Sequence, residues 1–376
     1  MDDLDLHGSE PLLTDLRTLV EIESPSSDRA ALDRSADAVA ALGTRLLGVA
    51  PTRRTVDGVP LLEWRFGDRE RLLLLGHHDT VWPLGSWPDL WSFDGEVVRG
   101  PGAFDMKAGV VLMLHAVAGL AERDGIVIVV TGDEETGSAT SRPTIETLAR
   151  ATGVVLVTEA AAPGGALKTE RSGVAHYVVE ARGRAAHAGL EPEKGINATV
   201  ELAHQVLALQ QLGAWHPDAT VTPTLLTSGD SANTVPALAR LHVDVRARTT
   251  AAFDAVDSAV SALHAVLPGT GLTVTRRFAS PPLEASSSAA LFALATAVAA
   301  ESGLAPVSSA AVGGASDGNI AAGTGAAVLD GLGAVGGGAH ARDEHVLASE
   351  LEPRMLLLRR LAQAVLDGRL ATGAAR

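Results

Sequence analysis

The sequence predicts an α/β protein, with a first domain built on a mostly parallel sheet flanked by helices and with an inserted α+β domain. Two apolar runs bounded by glycine, RLLLLG at 71–76 and IVIVVTG at 126–132, are typical of strands buried on both faces. Segments with helical spacing lie between such runs, which is the pattern of βαβ units and a parallel sheet. Residues 173–280 follow a different order, β-α-β-β-α-β, which indicates the inserted domain.

The first domain is assigned to residues 1–172 and 281–376. Helical spacing occurs at residues 10–20, 28–47 and 107–123, and buried strands are predicted at 71–76, 126–132, 154–159 and in AAVLDG after residue 325. Ser27 or Asp28 is suited to cap the second helix. Polar residues follow the strands at their C-terminal ends, where open α/β sheets place their ligands.

The inserted domain is assigned to residues 173–280. Its first segment, GVAHYVVEARG, alternates apolar and polar residues as a half-exposed strand does. The elements that follow are a helix at 196–212, strands at 220–227 and 239–247, a helix at 250–267 and a last strand at 271–278. This order predicts one antiparallel sheet with two helices.

The composition limits the classes of function. The formal net charge is −15 at pH 7, which argues against nucleic acid as a partner because phosphates require basic patches. The chain has no cysteine, so thiolate metal sites and cysteine nucleophiles are excluded. No run of about 18 apolar residues is present, so we expect no membrane span. The acidic start, MDDLDLHGSEPLL, has no apolar core, so we expect no signal peptide and a cytoplasmic location.

Histidines and carboxylates gather where the predicted strands end. Each group taken singly has an ordinary interpretation as a strand end, a helix cap or a solvated loop. Together they form a mixed nitrogen and oxygen set suited to zinc. The set comprises His77 in GHHDT, Asp105 in GPGAFDMKAG, Glu135 in TGDEETGS, Glu159 in VTEA and His340 in GAHARDEH. Asp79 lies on the same strand face as His77 and is suited to orient that ring, and Glu134 is left free as a base beside Glu135.

These motifs, with AAHAGLEPEKGINA, SANTVP, VDVRA and GGASDG, resemble the di-zinc family of glutamate carboxypeptidase, aminoacylase, acetylornithine deacetylase and succinyl-diaminopimelate desuccinylase. The resemblance covers nearly the whole chain and is strongest to the glutamate carboxypeptidase branch. It implies one zinc on His77 and Glu159, a second on Glu135 and His340, and Asp105 as the bridge. It also implies a cis peptide bond after Asp105.

The resemblance further implies the reaction. Glu134 would act as the general base that activates a water molecule held between the metals. That water would then attack an amide bond in a small peptide or N-acyl amino acid. We expect a carboxypeptidase that releases an amino acid such as glutamate. A deacylase with the same site is the alternative, and Co²⁺ or Mn²⁺ are alternatives to Zn²⁺.

Four residues outside the metal set are assigned through the resemblance. His187 is similar to a family histidine that reaches the catalytic site from the inserted domain of a second subunit, so a homodimer is expected. Asn233 and Arg246 resemble residues that hold the substrate, and a guanidinium is suited to bind a substrate carboxylate as a fork. Gly314 would line the site.

A serine hydrolase is the remote alternative. GGASDG contains G-x-S-x-G, and Ser316, Asp330 and His340 follow in the order Ser-Asp-His. That interpretation leaves the acidic residues at 105, 134, 135 and 159 without a role.

Overall fold

The computed structural model describes residues 9–370, which form two compact units. The first unit contains the chain up to Glu170, Ala285–Val312 and the chain from Ser316 onward. The second contains Arg171–Glu284 and also Gly313–Ala315, a segment that the sequence predicts to belong to the first domain. The difference has a physical cause, because the backbone oxygens of Gly313 and Gly314 accept hydrogen bonds from arginines of the second unit.

The two large sheets are formed by strands β1 (Thr52–Val56), β2 (Val59–Arg65), β3 (Leu72–His77), β4 (Ile126–Thr131), β5 (Val154–Val157), β6 (Gly173–Arg182), β7 (Ala219–Ser228), β8 (Leu238–Ala247), β9 (Gly271–Ser280) and β10 (Ala327–Leu329). The α-helices are α1 (Ser9–Val20), α2 (Arg29–Leu47), α3 (Ala108–Ala118), α4 (Arg142–Thr152), α5 (Ala198–Trp215), α6 (Thr250–Ser261), α7 (Ala285–Glu301), α8 (Asp317–Ala322) and α9 (Leu351–Leu366). Asp28 caps α2 by accepting from the backbone N–H of Ala31.

The first unit is organised around a six-stranded sheet in the order β1-β2-β4-β3-β5-β10. β3 pairs in parallel with β4 and β5, β5 pairs in parallel with β10, and β2 is antiparallel to its neighbours. The side chains of β3 and β4 are buried along their whole length, which explains their uninterrupted apolar runs. The predicted class, a mostly parallel sheet flanked by helices, is confirmed.

The parallel direction of β3, β4 and β5 brings their C-terminal ends to the same edge of the sheet. His77 is the last residue of β3, Gly132–Glu135 follow β4, and Thr158 and Glu159 follow β5. Ligands of open α/β sheets bind at this edge. The sheet therefore positions polar side chains from three strand ends near one another.

The second unit is an antiparallel sheet in the order β7-β8-β6-β9, with helices α5 and α6 packed on it. Along the chain the elements run β6-α5-β7-β8-α6-β9, which is the predicted order. Asn197 caps α5 through bonds from the backbone N–H groups of Thr199 and Val200. The apolar sides of β6 and β8 form the core of this unit with both helices.

The N-terminal segment on which the signal-peptide expectation depends begins with residues 1–8, which lie outside the described residues. Within residues 9–370, no helix has the combination of length and apolar character that crossing a bilayer requires.

Candidate metal centre

His77 is the buried histidine of the predicted cluster, with 1% of its side chain exposed. Its Nδ1 lies 3.0 Å from the backbone oxygen of Asp79 and 3.3 Å from Asp79 Oδ1. A carbonyl oxygen only accepts, so Nδ1 carries a proton, and Nε2 is the nitrogen that would offer its lone pair to a metal when the ring is neutral. That nitrogen faces Asp105 Oδ1 at 3.5 Å and Glu159 Oε1 at 3.3 Å.

His340 occupies the other side of Asp105. Its Nε2 lies 3.1 Å from Glu135 Oε2 and 3.4 Å from Asp105 Oδ2. The residue has a φ of 60°, which is uncommon outside glycine, and it follows a turn at Gly338. Asp105 therefore turns one carboxylate oxygen towards His77 and the other towards His340, which is the arrangement that a bridging carboxylate requires.

The loop that carries Asp105 has an irregular backbone. The peptide bond between Asp105 and Met106 is cis, as the family resemblance predicts. Asp105 and Met106 have non-helical backbone angles, and the regular helix α3 begins only at Ala108.

Asp79 connects the two parts of the cluster that follow β3 and β4. Its Oδ1 accepts from the backbone N–H of Glu134 and its Oδ2 from that of Glu135, both at 3.2 Å. Ser26 Oγ donates a further bond to Oδ2 at 2.7 Å. Because Asp79 also contacts His77, one buried carboxylate holds both the ring and the short 3₁₀ turn that carries the two glutamates.

The cluster contains more negative than positive charge, and its pKa values reflect this. Burial raises the pKa of Glu134 well above its ordinary value, and the charges of Glu159 and Asp317 add to the increase while that of His77 opposes it. Hydrogen bonds to Asp105 and Glu135 raise the pKa of His340 to about 10. The carboxylates thus favour protons or other cations at this position.

The residues present fit divalent metal ions. The ligand atoms of His77, Asp105 and Glu135 all lie within 4.8 Å of one another. The same is true of the ligand atoms of His77, Glu134 and Glu159. His77 Nε2 and Glu135 Oε1 are buried and make no hydrogen bond, which is costly for polar atoms unless a ligand satisfies them. Imidazole nitrogens combined with carboxylate oxygens are a donor set that zinc accepts.

Several residues that support the cluster were not predicted. Glu344 accepts hydrogen bonds from the loop that carries Asp105, and Asp133 accepts from the backbone and side chain of Thr140. Asp317 accepts from Thr131 and Ser138 beside the strand end that precedes Glu134. Glu344 lies in the motif GAHARDEH and Asp317 in GGASDG, so their positions were visible but their partners were not.

In the second unit, the structure brings His187 and Asn233 together. Residues Ala186–His187 pair with Thr234–Val235, and the backbone N–H of Ala188 donates to Asn233 O at 2.9 Å. Both side chains are exposed. His187 Nδ1 accepts from the backbone N–H groups of Gly189 and Leu190, which orients the exposed ring.

Arg246 lies on β8 and is held by its neighbours. Its Nε and Nη2 donate to the two oxygens of Asp244 at 2.9 and 3.0 Å, and Nη1 donates to Gly313 O at 3.3 Å. Three of the five N–H groups of the guanidinium are thus used within the unit. Gly314 O accepts from Arg171 Nη1, and a Cβ at Gly314 would meet no atom within 4 Å.

Ser316 has the surroundings of a helix cap. Its Oγ donates to Asp330 Oδ2 at 2.7 Å and accepts from Gly318 N, and its own backbone N–H donates to Asn319 Oδ1. These bonds form a capping box at the start of α8. His340, the base that a serine mechanism needs, faces Asp105 and Glu135 instead. The arrangement does not favour a serine nucleophile.

Comparisons with known proteins identify the family of the chain. The model of peptidase family M20/M25/M40 matches residues 73–364. Carboxypeptidase G2 of Pseudomonas sp. (strain RS-16) is 30% identical over 370 residues, which cover 92% of this chain and 87% of that protein. A succinyl-diaminopimelate desuccinylase of Dinoroseobacter shibae is 30% identical over 338 residues, or 81% of this chain and 86% of that protein.

The fold is shared with solved structures of low sequence identity. The metallo-carboxypeptidase Sso-CP2 from Sulfolobus solfataricus superposes with a TM-score of 0.74 at 15% identity, covering 97% of this chain and 99% of that one. The aminopeptidase PepT from Bacillus cereus has the same TM-score at 20% identity and covers 96% and 100%. The family resemblance inferred from the motifs is confirmed, and the chain belongs to the M20/M25/M40 family of peptidases, which are metal-dependent hydrolases.

Proposed function

We propose that this protein is a zinc-dependent carboxypeptidase that hydrolyses the amide bond of a small peptide or N-acyl amino acid and releases a C-terminal amino acid such as glutamate. The observation that carries the proposal is the division of the Asp105 carboxylate between His77 and His340, with Glu159 and Glu135 completing the two sides. The similarity to carboxypeptidase G2 over most of both chains supports the choice of substrate class.

Two Zn²⁺ ions are the proposed cofactors, and Co²⁺ or Mn²⁺ suit the same donors. His77 and Glu159 would hold one ion, Glu135 and His340 the other, and Asp105 would bind both. Ions held there would polarise the amide carbonyl and make water more acidic. The buried ligand atoms without hydrogen bonds, His77 Nε2 and Glu135 Oε1, support this assignment.

Glu134 is the proposed general base. Its side chain is 14% exposed, and Oε2 lies 3.9 Å from His77 Nε2. It would accept the proton of the attacking water and return it to the leaving amine. Asp79 supports this role because it holds the backbone of Glu134 in place. Glu134 is also close enough to serve as a ligand, so the two roles need a direct test.

Substrate recognition is assigned to the second unit. Arg246 would bind the carboxylate of the released amino acid through the N–H groups that Asp244 and Gly313 leave available. Asn233 and the backbone at Gly314 would contact the substrate, following the family resemblance. His187, whose Nδ1 is held by backbone N–H groups, would stabilise the oxyanion in the catalytic site of a second subunit.

A homodimer formed through the second unit is the proposed assembly. Helix α5 exposes Val200, Leu207 and Trp215, which are 43%, 58% and 65% exposed, and the edge strand β7 beside it exposes Leu225 and Leu226. An edge strand next to an apolar helix face invites pairing with another chain. A second copy would cover these side chains and satisfy the edge of β7.

A deacylase is the second candidate function. The relatives include succinyl-diaminopimelate desuccinylase and acetylornithine deacetylase, each similar over much of its length. The same arrangement of Glu134 and the proposed ligands would serve either reaction, so the substrate decides between them.

The test combines metal analysis with a substrate panel. Bound metal would be measured by elemental analysis, and hydrolysis would be measured on dipeptides with C-terminal glutamate and on N-acetyl and N-succinyl amino acids. We expect about two zinc ions per chain, as the two-metal arrangement requires, and fastest hydrolysis of the glutamate dipeptides. Faster hydrolysis of the N-succinyl or N-acetyl substrates would favour the deacylase.

Matched variants separate the roles of the two adjacent glutamates. Glu134→Gln should keep its metal and lose activity by about 10²–10⁴-fold, since it loses only the base. Glu135→Gln should lose metal. Loss of metal from Glu134→Gln to the same extent would make Glu134 a ligand, and a wild-type protein without metal would overturn the proposal.

A further inference from the structure

Glu344 is a fully buried carboxylate, 0% exposed, that receives four N–H donors. Oε1 accepts from the backbone N–H groups of Phe104 and Asp105 at 3.0 and 3.1 Å. Oε2 accepts from the backbone N–H of Gly102 at 3.2 Å and from Trp82 Nε1 at 2.7 Å. Both oxygens therefore accept hydrogen bonds from N–H donors, which hold the carboxylate in a fixed orientation.

The three backbone donors belong to the loop that presents Asp105. This loop is not regular helix, so the N–H groups of Phe104 and Asp105 have no helical acceptor and need one elsewhere. Glu344 is the acceptor that they use. The conformation in which Asp105 divides its oxygens between two histidines thus depends on a side chain from a distant part of the sequence.

Glu344 is also tied to the other side of the cluster through its own loop. It lies four residues after His340, and the intervening chain is a tight turn in which Glu344 N donates to Ala341 O at 3.0 Å and Ala341 N donates to Gly338 O at 2.8 Å. Within the same turn, the Arg342 guanidinium lies 5.4 Å from the ring centre of Trp82. The loop of His340 and the loop of Asp105 are therefore joined at Glu344.

We propose that Glu344 is a positioning residue that sets the separation of Asp105 and His340, and thereby the affinity of the site for metal. The inference rests on the proposed function, in which Asp105 and His340 are ligands. A carboxylate is required because a glutamine has one acceptor oxygen and would direct its NH₂ group at N–H donors. Glu344→Gln would lose up to two of the four bonds and release the loop of Asp105.

The test is a titration of metal-free protein with Co²⁺, whose visible absorption reports the geometry of its ligands. The dissociation constant would be measured by competition with a chelating dye, and folding would be followed by circular dichroism. We expect Glu344→Gln to weaken Co²⁺ binding by about 10–100-fold and to change the visible spectrum, as loss of a residue that orients ligands typically does. Trp82→Phe removes one donor and keeps the carboxylate, so its effect should be smaller.

Asp15→Asn is the matched control, because Asp15 is a buried carboxylate of the same unit that accepts from His115 and Arg45 and touches no proposed ligand. It should bind Co²⁺ as the wild type does even if it is less stable. Wild-type affinity and spectrum in both Glu344→Gln and Trp82→Phe would overturn the inference, as would equal weakening in Asp15→Asn. If Glu344→Gln does not fold, Trp82→Phe decides alone. A wild-type protein that binds no Co²⁺ would instead overturn the proposed function.

Discussion

Asp79 Oδ1 accepts a hydrogen bond from the backbone N–H of Glu134 at 3.2 Å. The same carboxylate lies beside His77 Nδ1, and its side chain is fully buried. One residue therefore orients both a proposed ligand and the proposed base. A change at Asp79 should affect metal binding and proton transfer together, although Asp79 contacts neither metal nor substrate in the proposed mechanism.

We predict that Asp79→Asn lowers both kcat and metal affinity, each by about 10–100-fold. The amide has one acceptor oxygen, and its NH₂ group would face N–H donors of His77, Glu134 or Glu135. Steady-state kinetics and elemental analysis of the purified variant measure the two effects. Ser26→Ala is the control, because it removes one bond to Asp79 and keeps the carboxylate. Wild-type kcat and metal content in Asp79→Asn would contradict the prediction.

Replacing Arg246 should reduce selectivity for substrates with a free carboxylate. We predict that Arg246→Lys raises KM for an N-acyl amino acid by about 10–100-fold, the equivalent of one charged hydrogen bond, but leaves KM for the corresponding amide nearly unchanged. The physical reason is that the planar guanidinium of Arg246, which Asp244 holds in place, presents N–H groups in a fork. The ammonium group of lysine cannot reproduce this arrangement.

The control for this prediction is Arg240→Lys on the same strand. Arg240 pairs with Glu180 at 2.7 Å and has no proposed role in recognition, so its replacement should not alter the ratio of the two KM values. An unchanged ratio in Arg246→Lys would remove Arg246 from the substrate site.

The buried strands were predictable because their apolar runs and glycine boundaries are local properties of the sequence. The prediction for β3 was 71–76, and the strand is Leu72–His77. The hairpin of β1 and β2 was missed. Every residue of β1 is exposed, so it has no apolar signal, although Asp57-Gly58 between the strands is a typical hairpin turn and both residues have positive φ.

The end of α3 shows why helix boundaries are harder to predict. The sequence indicated a helix to Arg123, but α3 ends at Ala118, followed by Gly119. Arg123 instead turns back and donates to Ala118 O at 2.8 Å and to Leu47 O at 2.9 Å. Its role is set by a tertiary contact with another helix, which the helical spacing of the segment does not reveal.

In the candidate site, too, local features could be predicted from the sequence, but tertiary contacts could not. The histidines and carboxylates at strand ends could be found from residue type and order, and the family resemblance supplied their roles. The bonds of Glu344 could not be found, because they join it to backbone N–H groups of an irregular loop more than 230 residues earlier in the chain. No periodicity of the sequence encodes such a contact.

The central strand should dominate the stability of the first unit. We predict that Leu74→Ala, at a residue that is 0% exposed, lowers the free energy of unfolding by about 2–5 kcal/mol, because it leaves a cavity in a packed core. Urea unfolding measured by tryptophan fluorescence reports mainly on this unit, which holds Trp64, Trp82, Trp87 and Trp91.

Leu84→Ala is the matched control for this substitution. Leu84 is 45% exposed, and its truncation should change the free energy of unfolding by no more than about 0.5 kcal/mol. Equal losses in the two variants would mean that burial in β3 is not what stabilises the unit.

The proposed dimer can be tested at the exposed face of α5. We predict that Leu207→Glu yields a monomer in sedimentation velocity, because a charge would be buried against the second copy. Activity should fall with it, since His187 of the second subunit would no longer be supplied. Leu84→Glu, an equally drastic change in the other unit, should remain dimeric. A wild-type monomer, or a dimeric Leu207→Glu variant, would exclude this interface.

Metal binding to the metal-free protein should release protons. The protonation of His340 determines the direction in which metal affinity changes with pH. Hydrogen bonds to Asp105 and Glu135 raise the pKa of His340 to about 10, so at neutral pH the metal-free ring is protonated. A metal binds only the neutral ring, so binding must displace that proton, and the apparent affinity for metal should fall as pH falls. Calorimetric titration of metal-free protein with Zn²⁺ in two buffers of different ionisation enthalpy counts the protons. We expect about one fewer in His340→Ala than in wild type, in line with loss of one protonated ligand, and no change in His242→Ala, an exposed histidine of the second unit. Equal proton release in wild type and His340→Ala would show that metal does not displace a proton from His340. That result would remove His340 from the proposed set of ligands.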